Sequence, residues 1–343
     1  MVASIKKEIL DQTIKRLPGS PSKALAFTVP PMSLPIIQGD EASRQKVLER
    51  MAHYLVPGMS IAVIQDDRIL LTREYGVMNA ASRQAVTRQT RFQAASVSKP
   101  LATLAALRLV QRGKLALDGD LDKFLVSWKI PDNDFTRQKP VTLRQIFTHS
   151  AAFTVSGFGG YAPEAKLPSL HLVLDGEKPA NSAPIRVNFV PGSKTRYSGG
   201  GFTVLQQTLI DVYGRPFPAM MDDLVLIPLK MAHSSFQQPP ASALAKEAAS
   251  GHTNGKPITG RWHVYPEMAA AGLWTTPSDL ALFVLGIEHA RRGNSDAILS
   301  ADLANQMLTR QIDNWGLGID LGGRGPSLSF THNGATCPPN SLQ

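Results

Sequence analysis

Two hairpin patterns stand at opposite ends of this chain, and that placement limits what it can fold into. Gly58 to Ile64 (Gly-Met-Ser-Ile-Ala-Val-Ile) and Arg68 to Val77 are strand-like runs joined by Asp66-Asp67, a pair suited to a tight turn. Trp315 to Leu321 and Leu328 to His332 flank Gly322-Gly323-Arg324-Gly325 in the same way. Between the two hairpins the pattern is helix-rich with long loops. Ser96 to Arg112 reads as a long helix that stops at Gly113, with Leu101, Leu104, Ala105 and Leu109 on one apolar face. Thr276-Pro277-Ser278-Asp279 reads as a helix start, with a Thr cap and Pro at the first helical position. Strands at the two ends with helices inserted predict an α+β fold with a discontinuous antiparallel sheet. Residues 40–90 and 300–343 are expected to form the sheet domain, and residues 91–299 a mainly helical domain. A further helix is expected from Glu41 to Tyr54.

Residues 1–39 read differently. Ile5, Ile9, Leu10, Ile14 and Leu17 recur at helical spacing and predict a short amphipathic helix ending at Pro18-Gly19. Pro18, Pro21, Pro30, Pro31 and Pro35 follow and predict an extended strap. Lys6, Lys7, Glu8 and Asp11 interrupt the apolar residues, whereas a secretion signal needs an unbroken apolar stretch. The expectation is therefore a cytoplasmic protein.

Composition narrows the function classes. Hydrophobic residues make up 43% of the 343 and charged residues 18%, which is enough apolar material for a packed core of roughly two domains. The net charge is +9, yet the basic residues never run longer than two, so a solvated basic surface is favoured over a nucleic-acid groove. A single cysteine, Cys337, excludes an intrachain disulfide and a Cys-based metal site. No apolar run reaches the roughly 18 residues that span a bilayer. No cofactor is called for. G-x-S-x-G and H-E-x-x-H are absent. Gly251 to Pro257 is one residue short of a P-loop, and Gly157 to Ala162 fits G-x-G-x-x-A without a strand to feed it.

S-x-x-K occurs twice. Ser20-Pro21-Ser22-Lys23 lies in the proline-rich strap, where nothing would align the two side chains. Ser96-Val97-Ser98-Lys99 opens the long helix, where positions i and i+3 are neighbours about 5–6 Å apart at Cβ. A serine hydroxyl is a weak nucleophile until a base takes its proton, and a lysine within reach can serve. The positive end of the helix dipole would favour negative charge developing at Ser96. Two other segments could complete a site. Arg196-Tyr197-Ser198-Gly199-Gly200-Gly201 places a phenol, a group able to relay a proton, where backbone can approach closely. Phe330-Thr331-His332-Asn333-Gly334 ends the last strand in polar residues. Each has a plainer reading when taken alone: a helix cap, a packed tyrosine, a polar edge strand.

Taken together and in this order, S-x-x-K, Y-S-x and H-x-G resemble the serine β-lactamase and penicillin-binding-protein superfamily, in the branch of class C β-lactamases, DD-peptidases and family VIII esterases. Leu143 to Ala152 is similar to its "LLTHTSG" stretch, and Ala271 to Leu280 to its "GLxSTxxDL" stretch. The resemblance covers roughly residues 45–336. It implies a β-lactamase-like fold and a serine hydrolase acting through an acyl-enzyme on a small ester or amide. Ser96 would be the nucleophile, with Lys99 and Tyr197 sharing acid and base work. His332 stands where lactamases usually carry Lys. The backbone N–H groups of Ser96 and Ala335 would hold the oxyanion, with Asn333, Gly334 and Ala335 forming the substrate-binding strand. His149 has no catalytic role in this reading and is expected either to support the residues that act or to be structural.

Two departures shape the expected function. Gly199 replaces the Asn usual at the third position of the tyrosine motif, which favours short-chain esters over β-lactams or peptides. After Ala335 the family continues with two strands and a helix, whereas this chain runs Thr-Cys-Pro-Pro-Asn-Ser-Leu-Gln. The C-terminal strands are therefore expected to be missing, leaving the strand at Phe330 with an unpaired edge. The alternative is a truncated, inactive member of the same family.

Overall fold

The computed structural model describes residues 2–6 and 47–336. The first hairpin forms where the sequence places it. Strand β2 (Gly58–Gln65) pairs antiparallel with β3 (Arg68–Gly76). Asp66 and Asp67 both take positive φ, 50° and 59°, the two-residue turn whose twist matches that of the strands. Helix α1 (Val47–His53) precedes it. The rest of the helix expected from Glu41 lies outside the described residues.

Two further elements lead into the helical part. Strand β4 (Phe92–Gln93) is followed by a 3₁₀ turn, Ala95–Val97, and then by α2 (Ser98–Gln111). The long helix thus starts two residues later than the sequence suggested. Its first ten residues are buried on every side rather than along one stripe: Ala102, Thr103, Ala106 and Leu107 are as inaccessible as Leu101 and Leu104, and Pro100 is buried as well. An all-round apolar helix belongs at the centre of a domain. Around it run α3 (Asp134–Gln138), α4 (Leu143–Phe147), α5 (Leu170–Asp175), α6 (Gly199–Tyr213), α7 (Phe217–Met221) and α8 (Ser242–Glu247). A two-residue ladder, β5 (His252–Thr253) with β6 (Lys256–Pro257), is followed by α9 (Met268–Ala271) and β7 (Trp274–Thr275), which pairs with β4. Helix α10 (Pro277–Arg291) starts at its expected Thr276 cap, whose hydroxyl accepts from the Asp279 N–H at 3.2 Å. Helix α11 (Ala301–Met307) closes the series.

The second hairpin is β8 (Asp320–Gly322) with β9 (Ser329–Ala335). The other edge of β9 is occupied by β1 (Val2–Lys6), antiparallel, with Val2 opposite Ala335 and Lys6 opposite Thr331. This corrects two expectations. Ile5 and Lys6 belong to a strand and not to a helix, and β9 has a partner on both edges. The remainder of the expected N-terminal helix, with the strap, lies outside the described residues. Helical spacing in a short segment sets no secondary structure when a strand edge offers the backbone a full ladder of partners. The sheet is built from both chain ends, in the order β1-β9-β8, but β2-β3 stands apart as a separate ladder. Among the described residues, no strand pairs with the outer edge of β2.

Candidate active site

The 3₁₀ turn sets the site. Ala95 takes φ 46°, a left-handed backbone rare for a residue with a side chain. The segment at Leu273 clamps the turn from both sides, with the Ala94 N–H donating to Leu273 O at 2.9 Å and the Leu273 N–H to Ser98 Oγ at 3.0 Å. Ser98 Oγ also donates to Ala95 O at 2.6 Å. Ser98 therefore ties the turn to its surroundings, while Ser96 caps nothing. Ser96 Oγ instead accepts from Lys99 Nζ at 2.9 Å.

Lys99 is 2% exposed, among the most deeply buried large side chains described. Its second acceptor is Ala270 O, also at 2.9 Å, at the end of the one-turn helix α9. Its Nζ lies 5.0 Å from the centre of the Tyr197 ring and 5.7 Å from that of Phe202. With no ion pair to a carboxylate among the described residues, the lysine head group is held by these carbonyl and ring contacts.

Tyr197 is half-buried and sits just ahead of α6, where Ser198 caps the helix by accepting from the Gly201 N–H at 3.0 Å. Of the three glycines that open this helix, the first two stand where neighbouring atoms leave little or no room for a side chain. A Cβ on Gly200 would stand 2.4 Å from Thr154 O, and one on Gly199 3.1 Å from Ser156 O. Position 199 therefore has no space for an asparagine side chain without local movement.

Strand β9 supplies the opposite wall. Phe330, His332 and Gly334 are buried, while Asn333 and Ala335 are exposed, as strand alternation requires. A Cβ on Gly334 would lie 2.0 Å from Ala94 O and 3.2 Å from the Ser96 nitrogen, so only glycine lets the strand lie against the turn that carries Ser96. His332 Nδ1 is 2.9 Å from Asn333 O, which fixes the proton on Nδ1 and leaves the Nε2 lone pair free to accept. Burial first, and the Lys99 charge second, push His332 down to about 3, so the ring is neutral at physiological pH.

Ser96, Lys99, Tyr197, His332 and Gly334 thus meet in one place. Asn333 and Ala335 come to it through their backbone, with side chains on the outer face. Sequence reasoning missed Ala270, whose carbonyl holds Lys99; a backbone acceptor leaves no trace in residue type. The ring of His149 lies 4.3 Å from that of Tyr197 and 4.4 Å from that of Trp315. Burial, then Lys99 and His332, hold it neutral, well below the usual imidazole range.

Comparisons with known proteins identify the family and the fold. Residues 44–339 match the family described as Beta-lactamase. Protein flp of Staphylococcus aureus (strain N315) is 24% identical over 245 residues, covering 69% of this chain and 45% of its own length. Esterase EstB of Burkholderia gladioli is 29% identical over 208 residues, 58% of this chain and 51% of its own. The chain spans about half the length of the curated relatives it matches. Among solved structures, the octameric penicillin-binding protein homologue from Pyrococcus abyssi superposes with a TM-score of 0.67 at 23% identity, covering 84% of this chain and 67% of that one. EstCE1, a hydrolase with promiscuous acyltransferase activity, gives 0.63 at 21% identity over 80% of each chain. D-alanine carboxypeptidase AmpC from Burkholderia cenocepacia gives 0.61 at 22%, over 80% of this chain and 72% of that one. With an α+β architecture of this kind and a family match across most of its length, the chain belongs to the β-lactamase family.

Proposed function

We propose that the protein is a serine hydrolase that forms an acyl-enzyme on Ser96 and acts on short-chain esters. The observation that carries this reading is the 2.9 Å contact between Lys99 Nζ and Ser96 Oγ, made by a buried lysine that has no ion pair to a carboxylate among the described residues. In the proposed reaction Ser96 Oγ attacks the ester carbonyl carbon and its proton passes to the Lys99–Tyr197 pair. The carbonyl oxygen, now an oxyanion, is received by the backbone N–H groups of Ser96 and Ala335. Collapse expels the alcohol, which leaves as a neutral molecule by taking that proton. Water then attacks the acyl carbon, gives its proton to the same pair, and Ser96 is released when the proton returns to Oγ. The neutral His332 offers a lone pair for hydrogen bonding along this path.

Two features favour esters. A neutral His332 presents no cation to the carboxylate of a β-lactam or peptide. Gly199 offers no amide to a substrate N–H, and an unmatched polar group in a buried site costs about 1–3 kcal/mol, or about 10- to 100-fold. The test is intact-protein mass after incubation with p-nitrophenyl butyrate and with nitrocefin, together with kcat/KM for each. A transient acyl adduct and faster turnover of the ester are expected. Ser96→Ala should abolish labelling by a fluorophosphonate, and Ser20→Ala should leave it intact. Labelling that persists in Ser96→Ala overturns the assignment, and faster nitrocefin turnover overturns the ester preference.

A further inference from the structure

His149 brackets Tyr197 through the chain on either side of it. The Arg196 N–H donates to His149 O at 2.7 Å, and the Ser198 N–H donates to His149 Nδ1 at 3.1 Å. Between those two bonds, the imidazole lies against the Tyr197 ring with centroids 4.3 Å apart and planes tilted by 35°. Trp315 meets the imidazole edge-on at 4.4 Å, and Phe202 stands 5.6 Å away. The ring is therefore packed by aromatics and can turn little. Its backbone is unusual as well: φ is 54°, in the left-handed region. That conformation costs a histidine free energy and persists only where the surroundings over-determine it.

The bond from Ser198 decides the tautomer. A backbone N–H can only donate, so Nδ1 must present its lone pair and the ring proton must sit on Nε2. Nε2 is buried and has no partner among the described residues. The groups facing the ring are Lys99 from α2, Tyr197 from the segment before α6 and His332 from β9.

We propose that His149, in its Nε2–H tautomer, is a positioning residue that holds Tyr197 over Lys99 by fixing residues 196 and 198. This rests on the acyl-enzyme reading, in which Tyr197 shares the proton work. The clamp explains why so small a group can matter. A phenol that must pass a proton to a serine hydroxyl has to be held near hydrogen-bond distance, and a displacement of about 1 Å can cost on the order of 100-fold.

Two substitutions separate the clamp from the backbone strain. Gly and Asn both accept positive φ, but only Asn offers a side-chain oxygen near the place of Nδ1. His149→Gly should lower kcat for p-nitrophenyl acetate about 10- to 100-fold with KM changed less than about threefold. His149→Asn should recover most of that loss. Thermal melts establish that both variants are folded. Folded variants that are equally impaired, or both unimpaired, overturn the clamp. A second readout needs no substrate. Long-range proton–nitrogen spectra of the ¹⁵N-histidine protein, assigned by the resonance lost in His149→Asn, should show His149 protonated on Nε2. A proton on Nδ1 overturns the proposal. An unlabelled Ser96 in the wild type overturns the acyl-enzyme reading alone, and the tautomer still decides the positioning role.

Discussion

A charged or polar side chain held far from water is the costliest thing a fold can keep, and this one keeps several around a single serine. Lys99, His149 and His332 are each no more than 5% exposed. Glu267, just ahead of α9, is fully buried, and among the described residues neither carboxyl oxygen bonds to another residue's group. Burial pushes Glu267 up to about 7 from an ordinary value of 4.5. The sign of its effect on stability follows. Below about pH 4.5 the carboxyl is protonated in both folded and unfolded chains, and it contributes no penalty. As pH rises from 4.5 toward 7, the unfolded chain ionises and the folded one does not, so stability is lost, by about 3 kcal/mol once pH passes 7. Glu267→Gln should therefore melt higher than wild type at pH 8 and match it near pH 4. Denaturant unfolding at the two pH values checks this, and an equal difference at both would assign the effect to packing rather than ionisation. The contact between Lys99 and Ser96 was legible in the sequence, because the two stand three residues apart where a helix was expected to start. Glu267 was not, since nothing in the neighbouring Ala269-Ala270-Ala271 marks a site where a carboxyl has no partner.

Elements were legible where local chemistry alone decides them. Asp66-Asp67 closes its hairpin through its own backbone preference, and Thr276 caps α10 through its own hydroxyl. Elements decided by distant partners were not. The start of α2 moved from Ser96 to Ser98 because the turn before it is clamped by Leu273, 175 residues away in sequence from Ser98. Helix α6 begins with three glycines, poor helix formers that propensity would exclude, and Thr154 and Ser156 pack against the first two of them. The contact between β9 and the turn that carries Ser96 belongs to this second kind, and it carries a sharp test. Gly334→Ala would drive a methyl group into the Ala94 carbonyl, which is backbone and cannot rotate away. The strand must move from Ser96, taking the Ala335 N–H with it. Loss of one oxyanion donor costs about 100- to 1,000-fold in kcat. We expect a fall of that order in fluorophosphonate labelling, with a melting temperature lowered by a few degrees. Labelling at the wild-type rate would mean that β9 does not support the oxyanion.

At the scale of the molecule, the sheet expected from both chain ends exists but is divided, and the division leaves β2 open. The strand has β3 on one edge and, among the described residues, no strand on the other. Beside it lies a groove of about 610 Å³ lined by Met59, Ile61, Phe92, Leu280 and Val284. Tyr54, Leu55 and Val56 stand at its mouth, 59%, 56% and 41% exposed. Unpaired N–H and C=O groups next to apolar surface are a template for pairing with another strand. The opposing influence is charge. At +9, two copies repel each other, and salt weakens that repulsion as the screening length falls from about 10 Å at 0.1 M to about 3 Å at 1 M. Self-association through this edge should therefore increase with salt, the reverse of an association held by ion pairs. Ile61→Lys places a further cation in the groove and should keep the protein monomeric at 1 M salt, with labelling at Ser96 unchanged. Sedimentation velocity at two protein concentrations and two salt concentrations measures this, with a thermal melt to establish that the variant is folded. If the wild type stays monomeric throughout and the lysine only destabilises it, the edge of β2 is covered in solution by the chain itself.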